Sequence, residues 1–108
     1  MARKEQIKPT LDDLFVDLLH PNPNINYRAS IEMAKYWPDS ALNRLILNLD
    51  ISDLELRRKS VSAITHFGVR VVEPLINLFL SSESDTFQLS CLKIFVKIAY
   101  VHTEYTFP

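Results

Sequence analysis

Asp50-Ile-Ser-Asp-Leu-Glu-Leu-Arg-Arg-Lys-Ser-Val-Ser-Ala-Ile-Thr-His-Phe-Gly68 reads as a turn, one capped amphipathic helix and a stop. Asp53 suits the N-cap: its carboxylate accepts from free N–H groups of the first turn and favours the positive helix end. Ser52 with Glu55 is a rival capping box one residue earlier. Leu56, Val61, Ala63, Ile64 and Phe67 then approximate a helical stripe, with no strict alternation. Gly68 suits the left-handed residue that closes a helix.

Placing Arg57 over Arg28 and Gln88 brings out two copies. A large residue precedes each (Tyr27, Leu56, Phe87), and a capping type stands four positions before (Asn24, Asp53, Ser84). Ile31, Ser60 and Cys91 follow at three positions, and Ala34, Ala63 and Ile94 at six. Upstream, Leu11, Leu42 and Val72 match, as do Leu14, Leu45 and Leu75, and Leu18, Leu49 and Phe79. A period of about 30 residues with two helices per unit marks an α-solenoid. The reading is therefore all-α, a right-handed solenoid of three antiparallel helix pairs.

Working outward in chain order, residues 1–9 form a polar, flexible arm. The repeat domain spans 10–100, in units of about 10–37, 39–68 and 69–100, and 101–108 form a tail. Thr10 caps the first helix, with Asp13 at the box position. His20-Pro-Asn-Pro23 breaks it. The second helix runs from Asn24 to about Trp37. Asp39 or Ser40 starts the third, and the fifth carries Pro74 in its first turn. The predicted core is Leu14, Leu18, Ile31, Ala34, Leu45, Leu49, Ser60, Ile64, Leu75, Phe79, Cys91 and Phe95. The sixth helix, Asp85 to about Tyr100, is apolar nearly all round, the pattern of a helix covered on more than one side. Either the chain is a fragment of a longer array, or a partner or second copy covers this helix by association through residues 85–100.

Composition excludes several classes. A hydrophobic fraction of 47% over 108 residues fits one folded domain. One glycine leaves no room for a Gly-rich phosphate loop. A net charge of −1, from 12 basic and 13 acidic residues, gives no overall drive toward nucleic acid or anionic membrane. One cysteine forms no internal disulfide, which fits a reducing compartment. No signal core or membrane-length apolar run is present, so a cytoplasmic protein without membrane insertion is expected.

The segments Asn24-Ile-Asn-Tyr-Arg28-Ala-Ser-Ile31 and Asp53-Leu-Glu-Leu-Arg57-Arg-Lys-Ser60 resemble a HEAT repeat. Phe67-Gly-Val-Arg-Val-Val-Glu-Pro-Leu-Ile76 resembles the glycine and Val-Glu-Pro-Leu-Ile entry to a next unit. Over residues 10–100 the chain is similar to the phycobilisome-lyase HEAT-like subtype. That resemblance implies stacked helix pairs whose second helices line the concave side. It also implies kinship with bilin lyase subunits, phycobilisome-degradation factors and adaptors. Gln88 departs from the arginine of the other units. Lyase subunits of this type are usually longer.

In such repeats the arginines at Arg28 and Arg57 act structurally, bridging turns and pairing with acids such as Asp50 and Asp53. Arg58, Lys59, Lys93 and Lys97 form a candidate basic strip on the second-helix face, with Glu32 and Tyr36 beside it. An acidic protein surface or the propionates of a tetrapyrrole suits such a strip; a solvated charged face is the alternative. His20, His66 and His102 lie too far apart in sequence to argue a metal site. Cys91 falls on a small core position, where cysteine is an inert packing residue. No catalytic constellation emerges from spacing, so the chain is expected to be at most a lyase accessory subunit. Two functions result. One is a protein-interaction scaffold for a phycobiliprotein or a related assembly or degradation partner. The other is a bilin lyase accessory subunit that also binds an open-chain tetrapyrrole.

Overall fold

A computed structural model describes residues 8–101, and within them every regular element is helical. Most of the expected arm and tail, with His102, lies outside these residues. The order is α1 (Leu11–Leu18), α2 (Pro23–Tyr36), α3 (Pro38–Leu47), α4 (Leu54–Thr65), a 3-10 turn (Gly68–Val71), α5 (Val72–Ser81) and α6 (Asp85–Val101). Consecutive helices pack as α1 on α2, α3 on α4 and α5 on α6; α2, α4 and α6 also touch in succession.

Local chemistry accounts for the boundaries. Thr10 Oγ1 accepts from Asp13 N at 3.1 Å and opens α1. Trp37, at φ −136°, leaves the helical region before Pro38, which begins α3 as its first residue. The third helix thus starts earlier than the expected Asp39 or Ser40. Pro74 sits in the first turn of α5, where its missing N–H costs nothing. Gly68 has φ +83° between α4 and the 3-10 turn, a conformation that L side chains avoid.

The second helices share a register that differs from the expected one in the first unit. Their caps are Asn22, Asp53 and Ser84, each 31 residues from the next, accepting from Asn24 N (2.9 Å), Leu56 N (3.1 Å) and Phe87 N (3.1 Å). Four residues after each cap stand Asn26, Arg57 and Gln88. Each donates to the carbonyl six residues behind it: His20 O at 2.7 Å, Ile51 O at 2.6 Å and Ser82 O at 3.2 Å. Asn26 and Gln88 also hold Asp17 O (3.0 Å) and Phe79 O (3.1 Å). Loop carbonyls packed against a helix need such donors, because an unmet buried acceptor costs about 1–3 kcal/mol.

Asn26 therefore occupies the place expected of Arg28, whose side chain lies exposed and forms no hydrogen bond with another described residue. Pro23 is the cause: its fixed φ suits the first helical position, so α2 begins under an Asn22 cap rather than at Asn24. Arg57 does bridge its turn, but through the Ile51 carbonyl instead of an acid. Asp53 is used as the cap, and Asp50 lies exposed.

The core follows this register. Leu14, Leu45 and Leu75 are at most 1% exposed, and Leu18, Leu49, Ser60, Ile64 and Cys91 are also buried. Ile31, expected inside, is 38% exposed, and Ala29 stands buried in the place that Ser60 and Cys91 take in later units. Ala34, Phe79 and Phe95 are half-buried against the core rather than within it. The buried serines tie neighbouring pairs: Ser90 Oγ donates to Leu49 O at 2.7 Å, and Ser30 Oγ lies 2.7 Å from His66 Nδ1.

Candidate functional site

The second helices α2, α4 and α6 enclose two adjoining grooves that share Ser62. The first, about 300 Å³ between α2 and α4, is lined by Asn26, Tyr27, Ser30, Lys59 and His66 among others. The second, about 260 Å³ between α4 and α6, is lined by Leu54, Arg57, Arg58, Val61, Ser62, Ser90, Lys93 and Lys97. The caps and the loop-holding side chains set the rotation of each second helix, and so decide which residues face these grooves. Five cationic side chains line the two grooves together, and no carboxylate does. A chain with net charge −1 has thus gathered nearly half of its lysines and arginines on one face.

The expected strip is only partly brought together. Arg58, Lys93 and Lys97 line the α4–α6 groove, and their side chains form no hydrogen bond or ion pair with another described residue. Lys59 lines the other groove and is spent in part on structure: its Nζ donates to Asn26 Oδ1 at 2.6 Å. That bond also fixes the Asn26 amide, whose N–H2 faces the loop carbonyls. Glu32 and Tyr36 are half-buried and line neither groove; Lys35 Nζ lies 5.0 Å from the Tyr36 ring centre. Arg57 lines the α4–α6 groove while holding the loop, so it serves both.

Spacing alone missed the cluster at the first groove. His66 Nδ1 meets Ser30 Oγ, whose hydroxyl donates to Tyr27 O at 2.8 Å. A hydroxyl has one proton, so with that proton on Tyr27 O, Nδ1 is the donor and Nε2 is left as an acceptor. The Tyr27 ring meets the His66 ring edge-on, 4.9 Å between centres. Burial, and then the charge of Lys97, push the His66 pKa below its usual value, so the imidazole stays neutral near pH 7. Ser30 and His66 come from different helix pairs, so no local spacing in the sequence signals their contact.

Cys91 is fully buried, and burial pushes its thiol pKa up to about 11. It is therefore protonated at neutral pH and a poor nucleophile. Among the described residues, no three His, Cys, Asp or Glu side chains converge as a metal cluster would. No single helix among them is long and apolar enough to cross a membrane.

No family model matches the chain, and no solved structure matches it significantly. Two curated proteins are similar to it. Over 95 residues it is 28% identical to the uncharacterized phycocyanin operon protein Z of Pseudanabaena tenuis (strain PCC 7409), covering 88% of this chain and 47% of that protein. Over 80 residues it is 31% identical to the bilin biosynthesis protein CpeZ of Synechococcus sp. (strain WH8020), covering 74% of this chain and 43% of that protein. The chain spans about half the length of the curated relatives it matches.

Proposed function

We propose that this chain is a binding scaffold that engages a phycobiliprotein, or a partner in its assembly or degradation, across the face of α2, α4 and α6. The names of the two similar proteins, a bilin biosynthesis protein and a phycocyanin operon protein, support the setting. We read the three capped helix pairs as a right-handed solenoid of HEAT-like repeats, with residues 10–100 as its domain. The observation that carries the scaffold reading is the pair of adjoining grooves with five cations and no carboxylate. Like charges are gathered on one face at a cost in mutual repulsion, and an acidic partner surface relieves that cost.

Arg58, Lys93 and Lys97 are the proposed contact residues; Arg57, Asn26 and Asp53 hold the frame beneath them. The test is calorimetric titration with isolated phycobiliprotein subunits at low and moderate salt. Changing Arg58, Lys93 and Lys97 together to Glu should weaken binding at least about tenfold and remove its salt dependence. Binding that survives the triple change unaltered refutes the assignment.

One observation favours a second reading, an accessory lyase subunit that also holds the pigment. The α4–α6 groove is lined by apolar Leu54 and Val61, by cationic Arg57, Arg58, Lys93 and Lys97, and by Ser62 and Ser90. An open-chain tetrapyrrole has an apolar body and two carboxylates, which suits such a lining. Adding a free bilin should then shift the visible absorption and induce circular dichroism. An unchanged spectrum at saturating protein removes this reading and leaves the scaffold standing.

A further inference from the structure

Helix α6 presents a second surface beside the cationic groove, and shares Lys93 and Lys97 with it. Leu89, Leu92 and Val96 are 57%, 44% and 66% exposed, and with Lys93 and Lys97 they form one contiguous patch on the outer side of α6. Their spacing of three and then four residues is that of a helical seam, the pattern that accepts the apolar edge of another helix. The opposite side of α6 is fixed: Ser90, Cys91, Ile94 and Ile98 are buried, and the helix packs on α4 and α5. The stripe is thus a rigid ridge with an apolar centre and two lysines beside it.

We propose that this stripe is a docking site for an amphipathic helix of another protein, apolar along one edge and flanked there by Glu or Asp. Charge selects this occupant. Lys93 and Lys97 flank the stripe, and the only acid of α6, Asp85, lies at the far end of the helix. A second copy pairing through the same helix sets each residue i against j and j against i. Around a stripe centred near Leu92 and Val96, that symmetry brings lysines toward lysines, which is unfavourable. An anionic membrane is the other surface that apolar residues beside lysines suit. It is disfavoured because an interfacial helix buries a broad apolar face below a strongly basic one, whereas the broad apolar face of α6 is already occupied by α4 and α5. Lys93 and Lys97 border both this site and the groove, but Leu89, Leu92 and Val96 do not line the groove, so the apolar stripe can be tested apart from it.

The test uses the full chain and two synthetic helical peptides with identical Leu seams, one flanked by Glu and the other by Lys. Fluorescence anisotropy reads their binding. The Glu peptide should bind at least about tenfold tighter than the Lys peptide, and added salt should narrow the gap. Lys93→Glu with Lys97→Glu should invert the preference. Val96→Asp should abolish binding of either peptide while leaving the thermal midpoint and the affinity for phycobiliprotein subunits unchanged, which separates this site from the groove. Equal affinity for both peptides overturns the proposal, as does failure of the Glu peptide to bind. Two further results would also overturn it: self-association of the full chain that Val96→Asp removes, and binding to phosphatidylglycerol vesicles that the same change removes.

Discussion

Replacing Asn26 by Asp tests the register of the whole chain with one nearly isosteric change. Asn26 is 9% exposed; its Nδ2 donates at 2.7 Å to His20 O and 3.0 Å to Asp17 O, and its Oδ1 accepts from Lys59 Nζ at 2.6 Å. Aspartate keeps the shape and the lysine contact but has no donor. Two hydrogen bonds are lost, each worth about 0.5–1.5 kcal/mol net, and an anionic oxygen is set against two carbonyl oxygens. The strengthened pair with Lys59 returns up to about 1 kcal/mol, discounted because the lysine is partly solvated. The balance is a loss of about 1–3 kcal/mol. At about 4–8 °C per kcal/mol for a domain of this size, the midpoint should fall by roughly 5–20 °C. Urea unfolding and a thermal melt followed by far-ultraviolet circular dichroism read both quantities. Arg28→Ala is the paired control: an exposed side chain outside the loop contact should change stability by no more than about 0.5 kcal/mol. If Asn26→Asp is neutral while Arg28→Ala is costly, Arg28 and not Asn26 holds the loop, and the register set by the Asn22 cap fails.

Three further outcomes are expected. Leu45→Ala empties a fully buried position and should cost about 2–5 kcal/mol in urea unfolding, with an unchanged m-value if two-state behaviour persists. Gly68→Ala meets no atom within 4 Å but must hold φ +83°, so it should cost about 1–2 kcal/mol from backbone strain alone; a neutral result would place that strain elsewhere. His66 has a folded pKa below its ordinary 6.5, so the unfolded chain takes up the proton first. Its contribution to stability is complete above about pH 6.5 and declines as pH falls from there toward the folded pKa. His66→Gln should therefore flatten the acid side of the stability profile, and parallel profiles for the two proteins would contradict the shift.

The helical class and most boundaries were legible because capping, proline placement and the leucine stripes agree with one another. Asp53, Thr10 and Trp37 behave as their side chains and neighbours dictate. The register of the first unit lies two residues from where Tyr27-Arg28 points, because that pair imitates Leu56-Arg57 in residue type while the Pro23 helix start overrides the likeness. Ile31 left the expected core for the same reason. In the candidate site, the cations of α4 and α6 were readable from their helical spacing. The pairing of His66 with Ser30 was not, since it depends on how two units are set side by side. The partial use of Lys59 as the anchor of Asn26 was hidden by the same dependence.

The central claim is that the second-helix face, and α4 with α6 above all, is where this chain meets its partner. The most direct measurement is an amide nitrogen–proton NMR titration of the labelled chain with a phycobiliprotein subunit. The account predicts shifts concentrated at Arg58, Ser62, Lys93 and Lys97, with Leu14, Leu45 and Leu75 unmoved. Shifts confined to α1, α3 and α5, or none at saturating subunit, would contradict it.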